Sequence, residues 1–477
     1  MRKDYTPKEK RKKILLLCDD IRMHSGVATM AREFVIGTAH KYNWYNLGAA
    51  LSHPEIGKIF DISADVSKVT GIDDASVFVQ PSNGYGDATM VRTLLRTQKP
   101  DAIFIFTDPR YWVWLFEIER EIRSQIPIMW LNIWDEFPAP QYNEHFYNSV
   151  DVLMSISKQT KLINELVLGE KAQNKVIQYV PHGINTTTFH PMDKSTEQFT
   201  EFKKSMFGDK QIDFVVFFNS RNIHRKHPGD TILAYQLFCD MIGKEKAKKC
   251  ALVMKTEISS DHGTDLKAVK NALTDPEYVN IYFNTERLTP DQMNLMYNIS
   301  DVTILLSSNE GWGLSLTESM TAGTMIIANV TGGMQDQMRF VDDKGKWFTP
   351  SADIPSNHRG TYSEHGVWAE PVFPSNISLA GSPMTPYIFD DRCKPEDAAK
   401  ALYDVYNLGE EERKQRGLAG REFVLSKESG FSAESMSDNI IKCVDEGFEK
   451  FKPRPKYDIQ IVGNRTKKTV KHRLVNY

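Results

Sequence analysis

The stretch that decides the fold is TILLSSNEGWGLSLTESMTAGTMIIANVTGG, residues 303–333. It begins with a short apolar run that predicts a buried β-strand, and it continues with SLTESMTAG, which predicts a helix. Between them, NEGWG predicts a short crossover that contains glycine. A strand followed at once by a helix is typical of a parallel α/β sheet, so this stretch predicts the α/β class of fold.

Two glutamates, Glu310 and Glu318, lie around the glycine turn and are separated by seven residues. In an open α/β sheet, ligands bind at the carboxyl ends of the strands. There a glycine turn exposes backbone N–H groups, and the helix dipole favours an anion such as a diphosphate. Because carboxylates accept hydrogen bonds from vicinal hydroxyls, the pattern suits a nucleotide-sugar. The alternative interpretation is a glycine-containing loop with two solvated glutamates.

The rest of the chain repeats the alternation of strand and helix in two series. The first series predicts strands in KILLLCDD, DAIFIFTDP, IPIMWLNIWDE, VDVLMSIS and KVIQYV. The second predicts strands in DFVVFFNSR, CALVMKT, VNIYFN and DVTILLSS. A polar segment near 190–210 separates the two series, and closing helices are predicted at about 395–406, 409–425 and 432–450. This organisation predicts two α/β halves that face each other across a cleft.

Length and composition are those of a soluble globular protein with two domains, since 477 residues exceed what one core usually supports. No apolar run approaches the roughly 20 residues of a membrane span, and no secretory signal pattern follows the basic start. The five cysteines are scattered and never spaced C-x-x-C, which favours reduced thiols in the cytoplasm.

A second cluster of candidate residues follows the strand DFVVFFNSR, where Arg221 and Lys226 lie five positions apart. Two fixed cations beside a helix N-terminus can neutralise a pyrophosphate leaving group without a metal ion. The chain contains no D-x-D triplet of the kind that holds a divalent metal at a diphosphate. We therefore predict no essential metal and no resident cofactor. A solvated basic loop is the alternative.

Taken together, these motifs resemble those of the family 4 retaining glycosyltransferases of the GT-B fold, over most of residues 13–450. The family's E-x7-E pattern is met by Glu310 and Glu318, and its R-x4-K pair by Arg221 and Lys226. Three further segments resemble the family in the same order, namely HSGVATMAREF, VPHGINTTTFHP with His182, Gly183 and Asn185, and TPDQMNLMYNIS.

The resemblance implies a role for each matching residue. Glu318 would bind the nucleotide ribose and Glu310 the hydroxyls of the transferred sugar. Arg221 and Lys226 would hold the diphosphate, and the co-substrate would be a nucleotide-sugar, UDP-sugar being the commonest choice. Backbone groups near the donor would come from Gly311, Trp312, Gly313 and Leu314, with Gly26 close to donor or acceptor. Transfer would retain the anomeric configuration, and the leaving phosphate would take the acceptor proton.

The resemblance also implies domain boundaries. The N-terminal Rossmann-like domain, 1–195, would hold the acceptor, and the C-terminal one, 196–430, the donor. Residues 345–395, rich in Pro, Gly and Ser, predict a long surface insertion. Residues 431–477 would form a closing helix and a basic tail that packs back on the N-terminal domain.

The acceptor half departs from the family pattern. Many members carry a histidine directly after the strand that begins IMWLNIWDEFPAP. At this point of the stretch, the present chain has Trp134 and Asp135. Asp135 could contact the sugar or activate an acceptor hydroxyl, and a helix cap is the alternative. TDPRYWVW supplies Arg110, Tyr111 and Trp112, which could stack on a base or a sugar, with aromatic core packing as the alternative.

Charge bears on the acceptor, because an acidic body carries two basic ends. Residues 1–13 hold seven Lys or Arg against two acids, and residues 450–477 hold nine against Asp458 alone. Such ends suit a polyanion, either nucleic acid or anionic lipid, and solvated tails are the alternative. We favour slightly a hydroxymethyl pyrimidine in DNA of phage type as acceptor. The first alternative is a polysaccharide or glycolipid glycosyltransferase. The alternative from another class is a nucleotide-sugar epimerase or a non-catalytic sugar-nucleotide binding protein.

Overall fold

The chain is described by a computed structural model that covers residues 5–50, 53–354 and 356–455. The first of its two large sheets has eight strands in the order β3-β4-β2-β1-β5-β6-β7-β8. All neighbours are parallel except β3, which runs antiparallel to β4. The strands are β1 Lys12–Asp19, β2 Tyr42–Ala50, β3 Phe60–Asp61, β4 Val77–Asn83, β5 Ala102–Phe106, β6 Ile128–Asn132, β7 Val152–Ser155 and β8 Val176–Tyr179.

The second sheet has six parallel strands in the order β11-β10-β9-β12-β13-β14. A separate antiparallel hairpin follows it in the chain. The strands of the sheet are β9 Phe214–Asn219, β10 Cys250–Lys255, β11 Ile281–Asn284, β12 Val302–Leu305, β13 Met325–Asn329 and β14 Ala369–Val372, and the hairpin consists of β15 Asn376–Ser382 and β16 Thr385–Arg392.

Helices connect the parallel strands and cover both sheets, as right-handed crossovers require. In the first half they are α1 Gly26–Thr38, α2 Ser63–Thr70, α3 Ala88–Gln98, α4 Val113–Glu117, α5 Glu119–Arg123, α6 Glu144–Asn148 and α7 Lys158–Leu168. In the second half they are α8 Glu197–Phe207, α9 Pro228–Ile242, α10 Lys244–Ala247, α11 Leu266–Leu273, α12 Pro290–Ile299, α13 Leu314–Thr321 and α14 Met334–Met338, followed by α15 Pro395–Asn407, α16 Glu410–Leu425 and α17 Ala433–Lys450.

The carboxyl edges of the two sheets face each other, and the loops after the strands meet there. Gly311, in the loop after β12, lies against the end of β6. A Cβ atom at this glycine would lie 3.0 Å from the carbonyl oxygen of Ile133 and 2.9 Å from Cδ1 of Ile156. A side chain at position 311 would therefore push the two halves apart, which explains why the crossover needs a glycine here.

The chain crosses from the second half back to the first near its end. The N–H of Ile184 donates to the carbonyl of Phe431 at 2.8 Å, and the N–H of Ala433 donates to the carbonyl of Ile184 at 3.0 Å. Helix α17 then packs against α1, β7 and β8 of the first half. The proposed boundaries at residues 195 and 430 remain a prediction, and most of the basic tail, 456–477, lies outside the described residues.

Two expectations about the elements were wrong. Strands β2 and β4 were not recognised, because polar residues interrupt both; Asn46 in β2 is fully buried, where its amide donates to the carbonyl of Leu16. The predicted surface insertion at 345–395 contains strand β14, which completes the second sheet, and a hairpin with the fully buried Asp391. Its low periodicity reflects short elements that each pack against different parts of the protein.

Candidate active site

Glu310 lies at the centre of the crossover after β12, and its carboxylate contacts two cations. Lys226 donates to Oε2 of Glu310, and Nη1 of Arg225 lies 3.3 Å from the same oxygen. The side chains of Glu310 and Lys226 are only 12% and 10% exposed, so this ion pair is poorly screened by solvent. The carbonyl of Glu310 accepts a hydrogen bond from the N–H of Gly333 at 2.9 Å. The loop after β13 thereby holds the position of Glu310.

The structure brings only one member of the predicted phosphate pair to Glu310. Lys226 is in contact with it, whereas Arg221 is exposed, and Glu257 is its acidic neighbour. Arg225, next to Lys226, is the arginine whose guanidinium bonds to the Glu310 loop. No spacing rule pointed to Arg225; a turn of 3₁₀-helix directs it and Lys226 to the same side.

Glu318 lies in the second turn of α13 and accepts a hydrogen bond from the hydroxyl of Tyr297 at 2.5 Å. That hydroxyl in turn accepts from the side-chain amide of Asn219, at the end of β9, at 3.0 Å. Burial raises the pKa of Glu318 to about 7, and the Tyr297 bond acts in the opposite direction. The carboxyl group therefore changes its charge near neutral pH.

The N-termini of two helices from different halves meet beside this carboxyl group. Gly313 caps α13 with φ of 91°, a left-handed conformation that glycine adopts without strain. Leu314 then faces Gly26, the first residue of α1, because a Cβ atom at Gly26 would lie 3.3 Å from its Cδ1. Ser25 caps α1 by accepting the N–H of Ala28 at 3.0 Å. Two helix N-termini placed side by side suit an anion.

Trp312 contributes only its backbone to this surface. Its side chain is 2% exposed, its Nε1 donates to Thr317 at 3.0 Å, and its ring meets that of Phe431 edge-on at 4.8 Å. His182 packs near the same ring, and burial lowers its pKa to about 3, so its imidazole is neutral. Both rings are buried beside the loop after β12, and neither lines the open cleft.

Two acidic residues of the first half face the cations of the second half. Asp135 follows β6, and although burial raises its pKa, the nearby charges of Arg225 and Lys226 lower it. Its neighbour Glu136 was not recognised from the sequence. Burial and the charge of Asp135 raise the pKa of Glu136 to about 8. At neutral pH, Asp135 is the group more readily ionised, and it lies across the cleft from the Glu310 cluster.

The three predicted acceptor residues have different environments. Tyr111 is 47% exposed, and its ring stacks on that of Tyr85 with centroids 4.1 Å apart. Arg110 is exposed and pairs with Asp108. Trp112 is fully buried in the core, where it packs edge-on against Tyr85, so its assignment as an acceptor-binding residue is wrong. For Trp112, the alternative interpretation, aromatic core packing, is the correct one.

The described residues, 5–50, 53–354 and 356–455, contain neither a metal cluster nor a membrane span. Within them, no group of three or more His, Cys, Asp or Glu side chains is placed to hold a metal ion. No helix in the same part of the chain is long and apolar enough to cross a membrane.

The comparisons with known proteins agree with this geometry. Residues 201–354 match the family model described as glycosyl transferases group 1. The fold is similar to that of Anabaena HepE in complex with UDP and glucose, with a TM-score of 0.61 at 12% identity, over 91% of this chain and 100% of that chain. It is also similar to sucrose-phosphate synthase from Thermosynechococcus elongatus, with a TM-score of 0.63 at 13% identity, over 92% and 100%.

A third similar structure is a UDP-forming α,α-trehalose-phosphate synthase from Burkholderia xenovorans, with a TM-score of 0.61 at 12% identity, over 92% of this chain and 99% of that chain. No curated protein matches the sequence significantly.

The fold and the matched domain define the class of this protein. It has the GT-B architecture, two Rossmann-like α/β units that face each other across a cleft, and the prediction of that fold is confirmed. The chain carries a glycosyl transferases group 1 domain at residues 201–354.

Proposed function

We propose that this protein is a glycosyltransferase that moves a sugar from a UDP-sugar to an acceptor hydroxyl, with retention of configuration and without a metal ion. One observation carries the proposal: Lys226 and Arg225 converge on Glu310 at the carboxyl edge of the second sheet and face Asp135 of the first. HepE was solved with UDP and with UDP-glucose, and the trehalose-phosphate synthase forms UDP, which supports UDP as the nucleotide.

The ion pair of Glu310 with Lys226 suggests how the donor binds. The diphosphate replaces Glu310 as the partner of Lys226 and Arg225, because it carries more negative charge and more acceptor oxygens. Glu310 is then free to accept hydrogen bonds from the sugar hydroxyls. The N-termini of α1 and α13 add amide N–H groups beside the diphosphate. Arg221 lies on the exposed loop and does not contact the Glu310 cluster, so we assign it a smaller contribution to diphosphate binding.

Transfer then exchanges one bond at the anomeric carbon. The bond from this carbon to the phosphate oxygen breaks, a bond to the acceptor oxygen forms on the same face, and the acceptor proton passes to the leaving phosphate oxygen. Lys226 and Arg225 stabilise the charge that develops on UDP. Asp135 orients the acceptor hydroxyl from the opposite side, and catalysis rests on positioning and electrostatics.

The acceptor side favours a neutral ring that carries a hydroxyl. The exposed face of Tyr111 can stack on such a ring, and the carboxylate of Asp135 would repel a phosphate placed beside it. A hydroxymethyl pyrimidine in DNA remains our first candidate, provided that the base is extruded and its phosphates stay outside. A saccharide or glycolipid acceptor is the second candidate, because carboxylates and an exposed aromatic ring also suit a sugar.

The described parts of the basic ends do not add to the acceptor site. Lys12 begins β1 at the edge of the sheet opposite the cleft. Near the other end, the N–H of Arg454 donates to the carbonyl of Arg123 at 2.9 Å, and Arg123 pairs with Asp151, just before β7. Both segments thus lie at the amino edge of the first sheet. A contribution to DNA binding rests on the tail, which lies outside the described residues.

The test is UDP release from a panel of UDP-sugars with hydroxymethylcytosine DNA, plain duplex DNA, an oligosaccharide mixture or no acceptor. We expect slow release without an acceptor and faster release with one acceptor class, together with a glycosylated product. Release unchanged by any acceptor, with free sugar as the product, would indicate an epimerase-like or hydrolytic enzyme. Binding of UDP with no release at all would indicate a binding protein and overturn the proposed transfer.

The pH dependence of donor binding is a prediction from Glu318, whose pKa burial raises to about 7. The ionised carboxylate can accept hydrogen bonds from both ribose hydroxyls, whereas the protonated form offers fewer acceptor sites. We therefore expect UDP affinity to rise as pH increases through about 7. Calorimetric titration across this range tests it, and a Glu318→Gln variant, which cannot ionise, should show a flat profile. An equally steep profile in that variant would assign the titration to another group.

The state of the cysteines suits a protein that works in a reducing compartment. All five are unpaired, and Cys18, Cys239, Cys250 and Cys443 are buried. We propose a cytoplasmic enzyme, where such thiols remain reduced.

A further inference from the structure

The hairpin of β15 and β16 lies between the two halves at the edge of the cleft. Its inner strand, β16, packs Ile388 and Phe389 against the aromatic core cluster of the first half. Two residues later, the same strand buries Asp391 completely in the second half. Leu379 in the outer strand and Met384 in the turn are each 65% exposed. The hairpin is therefore an element that contacts both halves through one strand.

A single residue of this strand joins the two loops that carry the facing carboxylates. The N–H of Phe389 donates to the carbonyl of Phe137 at 2.7 Å, and its own carbonyl accepts a hydrogen bond from the side-chain amide of Asn309. Phe137 is two residues after Asp135, and Asn309 directly precedes Glu310. The peptide groups around Phe389 thus connect the acceptor loop of one half with the donor loop of the other.

The strand is firmly anchored on the donor side. The carboxylate of Asp391 accepts hydrogen bonds from the hydroxyls of Thr331 and Ser356, both at 2.6 Å, and from the amide of Asn357 at 3.1 Å. Its N–H donates to the carbonyl of Ser308 at 3.1 Å. A fully satisfied buried network of this kind holds its members in one arrangement. The strand that carries Phe389 is therefore held in one position on the second half.

A second contact fixes the hairpin on the acceptor side. The hydroxyl of Tyr142 donates to the carbonyl of Tyr387 at 3.1 Å, and the two rings meet edge-on at 4.9 Å. The hydroxyl of Tyr387 accepts the N–H of Gln141 at 3.2 Å. Tyr142 lies close enough to Glu136 and Arg110 to feel their charges. The hairpin therefore also supports the wall of the cleft where we place the acceptor.

We propose that this hairpin sets the separation of Asp135 and Glu310, and through it the alignment of the acceptor hydroxyl with the donor sugar. Asn309 and Tyr142 are the positioning residues that transmit this constraint, and neither needs to touch the substrate. The inference rests on the proposed function, because it assigns the two carboxylates to acceptor and donor. Reacting groups displaced by about 1 Å can lose about 10²-fold in rate, so a small shift of either loop is measurable.

The test compares Asn309→Ala with Asn376→Ala, a matched change on the exposed outer strand of the same hairpin, where the amide bonds only to Ser378. For Asn309→Ala we expect a fall in kcat for transfer of about 10-fold to 10²-fold, with UDP-sugar affinity and acceptor-free hydrolysis changed by less than about twofold. Tyr142→Phe, which removes only the bond to Tyr387, should raise KM for the acceptor. Asn376→Ala should behave like the unchanged chain.

Two results would overturn the proposal. The first is that Asn309→Ala transfers sugar at the same rate as Asn376→Ala. The second is that Asn309→Ala loses donor affinity in proportion to its loss of transfer rate, which would indicate a general structural defect. If the unchanged chain showed no turnover, the proposed function would fail instead. The hairpin is then tested by spin labels at the exposed Thr93 and Lys267, one in each half. Asn309→Ala should broaden their distance distribution, and an unchanged distribution would contradict the positioning role.

Discussion

Replacing Lys226 by alanine is expected to lower kcat for transfer by about 10²-fold or more, a typical loss when a charge-stabilising group is removed. The ammonium of Lys226 is 10% exposed and contacts Glu310, at the place where the proposed leaving diphosphate binds. Burial and the charge of Arg225 lower the pKa of Lys226, while contact with carboxylates favours its charged form. Low exposure makes this charge more effective than one in solvent, because water screens it less.

The measurement is steady-state UDP release with a thermal melting curve for each variant. Lys267→Ala on the exposed face of α11 is the matched control and should retain the activity of the unchanged chain. Arg221→Ala should lose less activity than Arg225→Ala, since only Arg225 contacts the Glu310 loop. A folded Lys226→Ala variant with normal kcat would contradict the assignment of this residue to the leaving group.

Replacing Glu318 by alanine is expected to raise the Kd for UDP by about 10²-fold. A hydrogen bond to a charged group contributes about 1.5–3 kcal/mol, and each 1.4 kcal/mol is about tenfold in Kd, so the loss of two ribose bonds accounts for a change of this size. The variant should remain folded, because the hydroxyl of Tyr297 keeps its bond from Asn219 at 3.0 Å. Isothermal titration with UDP measures the change directly.

The controls for this prediction separate charge from shape. Glu318→Gln keeps the size of the side chain and should lose less affinity than Glu318→Ala. Glu422→Ala, on an exposed position of the neighbouring α16, should bind UDP like the unchanged chain. Unaltered UDP affinity in Glu318→Ala would show that the ribose binds elsewhere, and the pH dependence assigned to this carboxyl group would then have no basis.

Much of the fold could be predicted because its signals are local. A parallel strand buried on both faces is recognisable as a continuous apolar run, and β12 and β13 both show this pattern. The cap of α12 is equally local, since Thr289 and Gln292 bond to each other's backbone in a capping box. Strands β2 and β4 lacked such a signal, because their buried Asn46 and Ser82 find hydrogen-bond partners in distant parts of the chain.

The residues of the candidate site also differ in whether a local sequence pattern could reveal them. Glu310 and Glu318 could be selected because one short crossover and one helix hold both. Arg225 could not, since its role depends on how the turn after β9 is oriented against the loop after β12. The opposite error concerned Trp112, because the exposure of its side chain depends on packing that no short pattern encodes.

By itself, then, the sequence determined the class of fold and the two strand-and-helix series, and it selected Glu310 and Glu318 as candidates, because each follows from residues close in the chain. Only the tertiary structure decided that Asp135 faces Arg225 and Lys226, and that one strand, β16, joins the two loops beside the cleft. These arrangements bring together residues from separate parts of the chain, about 80 to 250 positions apart. Their geometry depends on how the two packed sheets meet, which no local pattern specifies.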